Sequence, residues 1–192
     1  MRVLRILTRP NLGGPTRQAV ALWHAHRELG VPTLLVTGRV DATESTLSPA
    51  DAGVPVLDVK SALQRGPDAA GWVEVPELGR GVSPFADRRA QRVLEQLVRA
   101  HRPDVVHTHT SKAGWLGRRA ARRVGVPRLV HTFHGHVLHD YFPPALAWGL
   151  ARLEAFLAAR TDQLVAVSNS CADELAAAGV AARERFVVVP PA

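Results

Sequence analysis

Short runs of Val, Leu and Ile alternate along this chain with longer stretches in which apolar residues return every third or fourth position. Val3 to Thr8, Thr33 to Thr37, Val54 to Val59, Asp104 to Thr108, Arg128 to Phe133, Gln163 to Val167 and Phe186 to Val189 have the length and β-branched content of buried strands. A first helix, capped by Thr16, carries Ala19, Leu22, Trp23, His26 and Leu29 on one face and stops at Gly30. A second spans Pro84 to Ala100, with Ala90, Val93, Leu94, Leu97 and Val98 together. A third spans Lys112 to Val124 and is ended by Gly125 and Pro127. Pro143 and Pro144 open a fourth, which passes Trp148, Leu153 and Phe156 and stops near Arg160. A fifth, Cys171 to Ala178, follows the capping residues Ser168, Asn169 and Ser170, with Asp173 three residues on from Ser170 as in a capping box. Gln64 to Pro84 is rich in Gly and Pro and reads as a long surface excursion, with Trp72 to Val75 its only strand-like piece. Strand and helix in alternation predict an α/β fold, a doubly wound and mostly parallel sheet flanked by helices.

The chemistry concentrates between Asp104 and Phe142, which hold six of the nine histidines. Two of the predicted strands end there in polar segments, and the Lys112 to Val124 helix joins them as a βαβ unit. In a parallel sheet the residues just past the carboxyl ends of the strands face the ligand crevice. His109, Thr110, Ser111 and Lys112 should therefore share a cleft with His134, Gly135 and His136. Gly13 and Gly14, between the first strand and its helix, would let a phosphate approach bare amides at the helix's positive end. No G-x-G-x-x-G run follows that strand, which argues against an NAD or FAD site.

Charge and composition narrow the partners. The 192 residues carry a formal net charge of +7 with 46% hydrophobic content, and Lys60 and Lys112 are the only lysines. Arg118, Arg119, Arg122 and Arg123 stack like charges on one helix. That is either a solvated face or a surface for an anionic partner such as a membrane. Nucleic acid is not expected, because the arginines are not interleaved with aromatics and aromatic content is 5%. Cys171 stands alone, so neither a disulfide framework nor a thiolate metal site is expected, and a reducing compartment fits. Arg5 and Arg9 break the first apolar run, which reads as neither a signal peptide nor a membrane span. A cytoplasmic protein is expected, with peripheral contact at the inner face of the cell membrane.

Several ordered segments resemble the amino-terminal domain of family 4 glycosyltransferases, Rossmann-like enzymes of GT-B architecture. These are Gly13-Gly14, Val75-Pro76-Glu77-Leu78-Gly79-Arg80, Pro103-Asp104-Val105-Val106-His107-Thr108-His109-Thr110-Ser111-Lys112-Ala113-Gly114, and Val126-Pro127-Arg128-Leu129-Val130-His131-Thr132-Phe133-His134-Gly135-His136. Thr161-Asp162 and Val165-Ala166-Val167-Ser168 continue the set. The resemblance implies that residues 1–192 form one acceptor-side domain. The donor-binding carboxyl-terminal domain, with the family's paired glutamates, is absent from these residues, so the domain alone should turn over negligibly. It implies a retaining transfer from a nucleotide sugar to a carbohydrate or lipid-linked acceptor, in bacterial surface polysaccharide or glycolipid synthesis, with no metal ion and no cofactor. His134 matches the family's active-site histidine, and Gly13 and Gly14 match its loop glycines near the donor pyrophosphate. By position alone, His109, Ser111, Lys112, His136 and Arg80 are candidates for holding the acceptor.

Two other classes stay open. His107 and His109 on one strand face, followed by His131, His134, His136, His139 and Asp140, could belong to a metal-dependent hydrolase. No H-x-H-x-D-H or H-E-x-x-H pattern supports it, and His107 and His131 sit in strand interiors, where a satisfied core histidine is usual. The second is a non-catalytic carbohydrate- or nucleotide-binding module. A serine hydrolase lacks its G-x-S-x-G elbow. Trp23, Trp115 and Trp148 read as packing residues, and Arg152 and Glu154 as solvated charges. Trp72, on the excursion, has the best claim of the tryptophans to stack on a sugar, although packing is the stronger reading there too.

Overall fold

A computed structural model describes residues 1–40, 45–79, 81–135 and 144–191, with side chains in the last segment from 147 onward. Its centre is one sheet of eight parallel strands in the order β3-β4-β2-β1-β5-β6-β7-β8. The strands are β1 Val3–Leu7, β2 Thr33–Thr37, β3 Val56–Leu57, β4 Gly71–Glu74, β5 Val105–His109, β6 Arg128–Phe133, β7 Gln163–Ala166 and β8 Phe186–Val188. The helices are α1 Gly14–Glu28, α2 Val59–Arg65, α3 Pro84–His101, α4 Ser111–Val124, α5 Pro144–Ala158 and α6 Asn169–Ala177. The chain alternates the two as its hydrophobic pattern requires.

The structure departs from the pattern in places where local chemistry outweighs periodicity. α1 starts at Gly14 with Gly13 as its cap and no side-chain cap bond. Pro15, whose ring presets a helical φ, draws the start forward, so Thr16 is a buried first-turn residue and not the cap. The third strand shrinks to two residues because the Asp58 carboxylate accepts from Ser61 N at 2.6 Å and opens α2. α6 starts at Asn169 on the Ser168 hydroxyl, and Asp173 pairs with Arg183 at 2.6 Å instead of closing a capping box.

The Gln64 to Pro84 segment is no surface excursion. Gly71–Glu74 is a strand inserted between β3 and β2, and Val75 and Leu78 beyond it are fully buried. Trp72 is 2% exposed and its Nε1–H donates to Thr37 Oγ1 at 2.9 Å, so no face of it is free for a sugar. The strand-like piece expected at Trp72 to Val75 is thus a strand one residue earlier, and its place inside the sheet went unread because a strand buried on both sides shows no alternation.

Right-handed crossovers decide where the helices lie. α2, α3 and α4 pack on one face against Leu4, Ile6, Val36, Val73 and Val106. Ala158 of α5 and Cys171, Ala172 and Leu175 of α6 join the same side through Phe133, Leu164 and Phe186. On the opposite face α1 covers Leu7, Leu35 and Trp72. Beyond it the second face of β5 to β8, with Val105, Val130, Val165 and Val187, is only half-buried or exposed.

The basic helix is more committed than its sequence suggests. Arg118 is 1% exposed, with Nη2 bonding Glu154 of α5 at 2.6 Å and Nε–H donating to Gly114 O. Glu154 is thus a buried counter-ion, and Trp148, expected to pack, is 67% exposed. Among the described residues no helix is long and apolar enough to cross a membrane.

Candidate active site

The strand order reverses at β1 and β5, whose following helices leave to opposite faces of the sheet. In a parallel sheet the crevice at such a switch point, outside the carboxyl ends of the strands, takes the ligand. Three loops meet there from β1, β5 and β6: Gly13-Gly14, Thr110-Ser111 and His134-Gly135. Neither Gly13 nor Gly14 has positive φ, and a Cβ on Gly14 would meet nothing within 4 Å. Their smallness answers no demand of the fold. Gly135 does have such a demand, at φ 124.

Thr110 is held at φ 64 and ψ 158, a region favoured by glycine. Its hydroxyl lies 2.6 Å from that of Thr8, which accepts from Ala113 N at 3.1 Å. The end of β1 is thereby tied to the start of α4, and Ser111 is placed, exposed, at the crevice edge.

Below the crevice lies a polar stack in the sheet. Arg5, in the middle of β1, is 2% exposed, and its Nη1 donates to His107 Nδ1 at 2.8 Å and to His109 Nε2 at 3.0 Å. His107 Nε2 meets Thr132 Oγ1 at 2.7 Å, and His109 Nδ1 meets His134 Nε2 at 2.8 Å. The rings of His107 and His109 stack at 4.2 Å between centroids. An open groove of about 280 Å³ on the sheet face beside α1 reaches this stack through Arg5, His107 and Thr132. Among the described residues no carboxylate pairs with Arg5, whose Nε has no partner, and burial lowers its pKa to about 10. Burial, with Arg5 as the second cause, lowers His134 to about 4. Burial also holds His107, His109 and His131 well below the usual imidazole range.

The expected cleft residues fare differently. His134 stands half-buried at the edge with Ser111 and the two glycines. His109 is fully buried, because as the last residue of β5 it faces the sheet's side and not its edge; it supports His134 from beneath. Lys112 pairs with Asp87 of α3 at 2.6 Å and donates to Gly81 O, so its ammonium is already taken. His136 and Arg80 lie outside the described residues, as do His139 and Asp140. Thr8 and Asp87 carried no legible signal, whereas Thr110 was read as a cleft residue and not as a tie to β1. Arg5 did: a lone cation inside the apolar run Val-Leu-Arg-Ile-Leu. For a metal, the ring nitrogens of His107 and His109 that would bind it face the Arg5 guanidinium. Among the described residues no three His, Cys, Asp or Glu side chains gather as a metal-binding group.

Comparison with known proteins places the fold and the family. Over 95 residues the chain is 39% identical to an Escherichia coli UDP-Gal:alpha-D-GlcNAc-diphosphoundecaprenol alpha-1,3-galactosyltransferase, a match covering 50% of this chain and 24% of that protein. Its fold is shared with the apo lipopolysaccharide outer core galactosyltransferase WaaB at TM-score 0.66 and 12% identity, covering 99% of this chain and 45% of that one. It is shared also with Methanocaldococcus jannaschii UDP-GlcNAc 2-epimerase, solved with UDP-GlcNAc and UDP, at TM-score 0.63 and 14% identity, covering 98% and 46%. The chain thus spans a quarter to a half of the length of these relatives. With a match to the family's profile running from residue 12 to residue 192, the chain belongs to Glycosyltransferase Family 4.

Proposed function

We propose that this domain is the acceptor-side half of a retaining glycosyltransferase that moves a sugar from a nucleotide-sugar donor to a carbohydrate or lipid-linked acceptor, in cell-surface polysaccharide or glycolipid synthesis. The observation that carries the reading is the convergence of Gly13-Gly14, Ser111 and His134 at the switch point of a parallel sheet. An oxocarbenium-like transition state with a departing diphosphate needs hydrogen-bond donors aimed at the leaving oxygens and a shielded sugar. Amides at the start of α1 and the His134 ring are suited to supply donors, and the reaction so written uses no metal ion. The resemblance to an enzyme named for a diphosphoundecaprenol substrate favours an acceptor of that lipid-linked class. In the complete gene product, His134→Ala should lower nucleotide-sugar turnover about 100-fold, as loss of one preorganised donor does. Undiminished turnover would remove His134 from the chemistry, and no turnover by the unaltered product would leave a binding module.

A lipid-linked acceptor places the enzyme at a membrane, and α5 offers the surface. Trp148, Leu153 and Phe156 are 67%, 38% and 55% exposed, and Arg152 and Arg160 lie over the Trp148 and Phe156 rings. Arg122 of α4 reaches the carbonyl of Arg160 and adds a further cation. Aromatic rings rimmed by arginine suit an anionic lipid interface. The protein should sediment with phosphatidylglycerol vesicles and not with phosphatidylcholine vesicles, and Trp148→Ser with Phe156→Ser should abolish it. Equal sedimentation with both lipids, or binding that survives the double change, would count against this surface.

A further inference from the structure

The hydrogen bonds beneath the crevice fix where the ring protons sit. A guanidinium has only hydrogens to offer, and Arg5 at a pKa of about 10 stays charged at neutral pH. The two ring nitrogens that its Nη1 meets, His107 Nδ1 and His109 Nε2, are therefore acceptors without a proton. A neutral imidazole carries one N–H, so in each ring the hydrogen sits on the other nitrogen. His107 Nε2–H then donates to Thr132 Oγ1, and His109 Nδ1–H donates to His134 Nε2. His134 Nε2 accepts, which leaves its own hydrogen on Nδ1, a nitrogen with no partner among the described residues.

We infer that Arg5 is a positioning residue which, acting through His109, locks His134 as an Nδ1–H donor, so that the ring offers a ligand a hydrogen and never a lone pair. His134 cannot then serve as a general base. It is built to bond an oxygen, whether of a phosphate or of a sugar. The cation at the far end of the chain also polarises each successive N–H, as linked hydrogen bonds do in a low-dielectric site. This accounts for an arginine that is buried with no carboxylate beside it among the described residues, since an unpaired buried charge is otherwise costly. Both His109 and His134 are held neutral by burial, which keeps a single tautomer meaningful at physiological pH.

The inference deepens the transferase reading by giving His134 its role, yet the proton positions can be read without any turnover. The 192-residue chain, labelled with nitrogen-15 in its histidine rings, would be examined by NMR at pH 7. His109 and His134 should each show a protonated, pyrrole-type Nδ1 and a bare Nε2, and His107 the reverse. Arg5→Met removes the obligate donor, and the His134 Nδ1 resonance should then move toward the pyridine-type position. Arg5→Lys restores a donor and should restore the wild-type pattern. A bare Nδ1 on wild-type His134 overturns the relay, as does an Arg5→Met protein whose His134 pattern is unchanged. The wild-type spectrum decides alone if Arg5→Met does not fold. Correct tautomers with no transferase activity in the complete gene product would sink the transferase reading and keep the relay. Activity with the wrong tautomer would do the opposite.

Discussion

A histidine that stays neutral in the folded chain becomes an ordinary base once the chain unfolds, and this sheet carries three in the Arg5 stack and a fourth, His131, on its other face. His107, His109 and His131 sit well below the usual imidazole range and His134 at about 4, chiefly through burial, with nearby cations adding to it. Their unfolded values lie near 6.5. Between those limits the unfolded state binds more protons than the native one, so stability falls as pH falls. It should be fully present above about pH 6.5, and each such histidine should remove up to about 1.4 kcal/mol per pH unit on the way down toward pH 4. Urea midpoints at pH 7.5, 6 and 5 check this; a midpoint that holds steady or rises on acidification would contradict the burial of the stack. At this scale the sequence was legible in part. His107 and His131 read correctly as strand-interior residues with bonding partners, and His134 stands, as expected, just past the end of β6. The purpose of Arg5 was hidden, because a lone arginine in an apolar run shows its oddity and not its partners, which lie on β5.

Among the described helices, a buried ion pair joins α4 to α5. Arg118 and Glu154 form an ion pair whose side chains are 1% and 11% exposed, and both charges depend on it for compensation. Glu154→Ala should cost about 3–5 kcal/mol, because it strands the guanidinium. Arg118→Met with Glu154→Leu should cost markedly less, since it removes both charges and keeps the volume. Chemical denaturation of the two variants separates these outcomes; equal losses would mean that packing, not charge, is what the pair supplies. The helices themselves were legible from their periodicity and stop signals: α3 and α4 run within a residue or so of the expected bounds. Partner choice was not legible. Arg118 and Arg119 are adjacent and chemically alike, yet one is buried and the other exposed, and only the packing of α5 distinguishes them. α2 escaped for a related reason, being too short for a period to show, and β4 was read as strand-like but not as part of the sheet.

For the whole molecule, the alternation of strand and helix was enough to predict a parallel sheet with its polar strand ends on one edge, but not the order of the strands. That order depends on which edge each crossover chooses. Every step from β5 to β8 moves to the adjacent position in one direction, whereas β4 enters between two earlier strands. This wiring has a consequence for how the chain takes shape as it is made. β1 can pair with β2 early, but Val3 waits for Val105 before its other side is covered. Once β5 and β6 have emerged, Arg5, His107, His109, Thr132 and His134 are all present and the stack can close. β7 and β8 then need only extend an existing edge, each on the strand before it. Because chains are synthesised from the amino terminus, every strand that supplies the polar centre leaves the ribosome before β7 and β8 do. A nascent chain that ends after His134 therefore already holds every residue of the stack, with only the edge beyond β6 still to come.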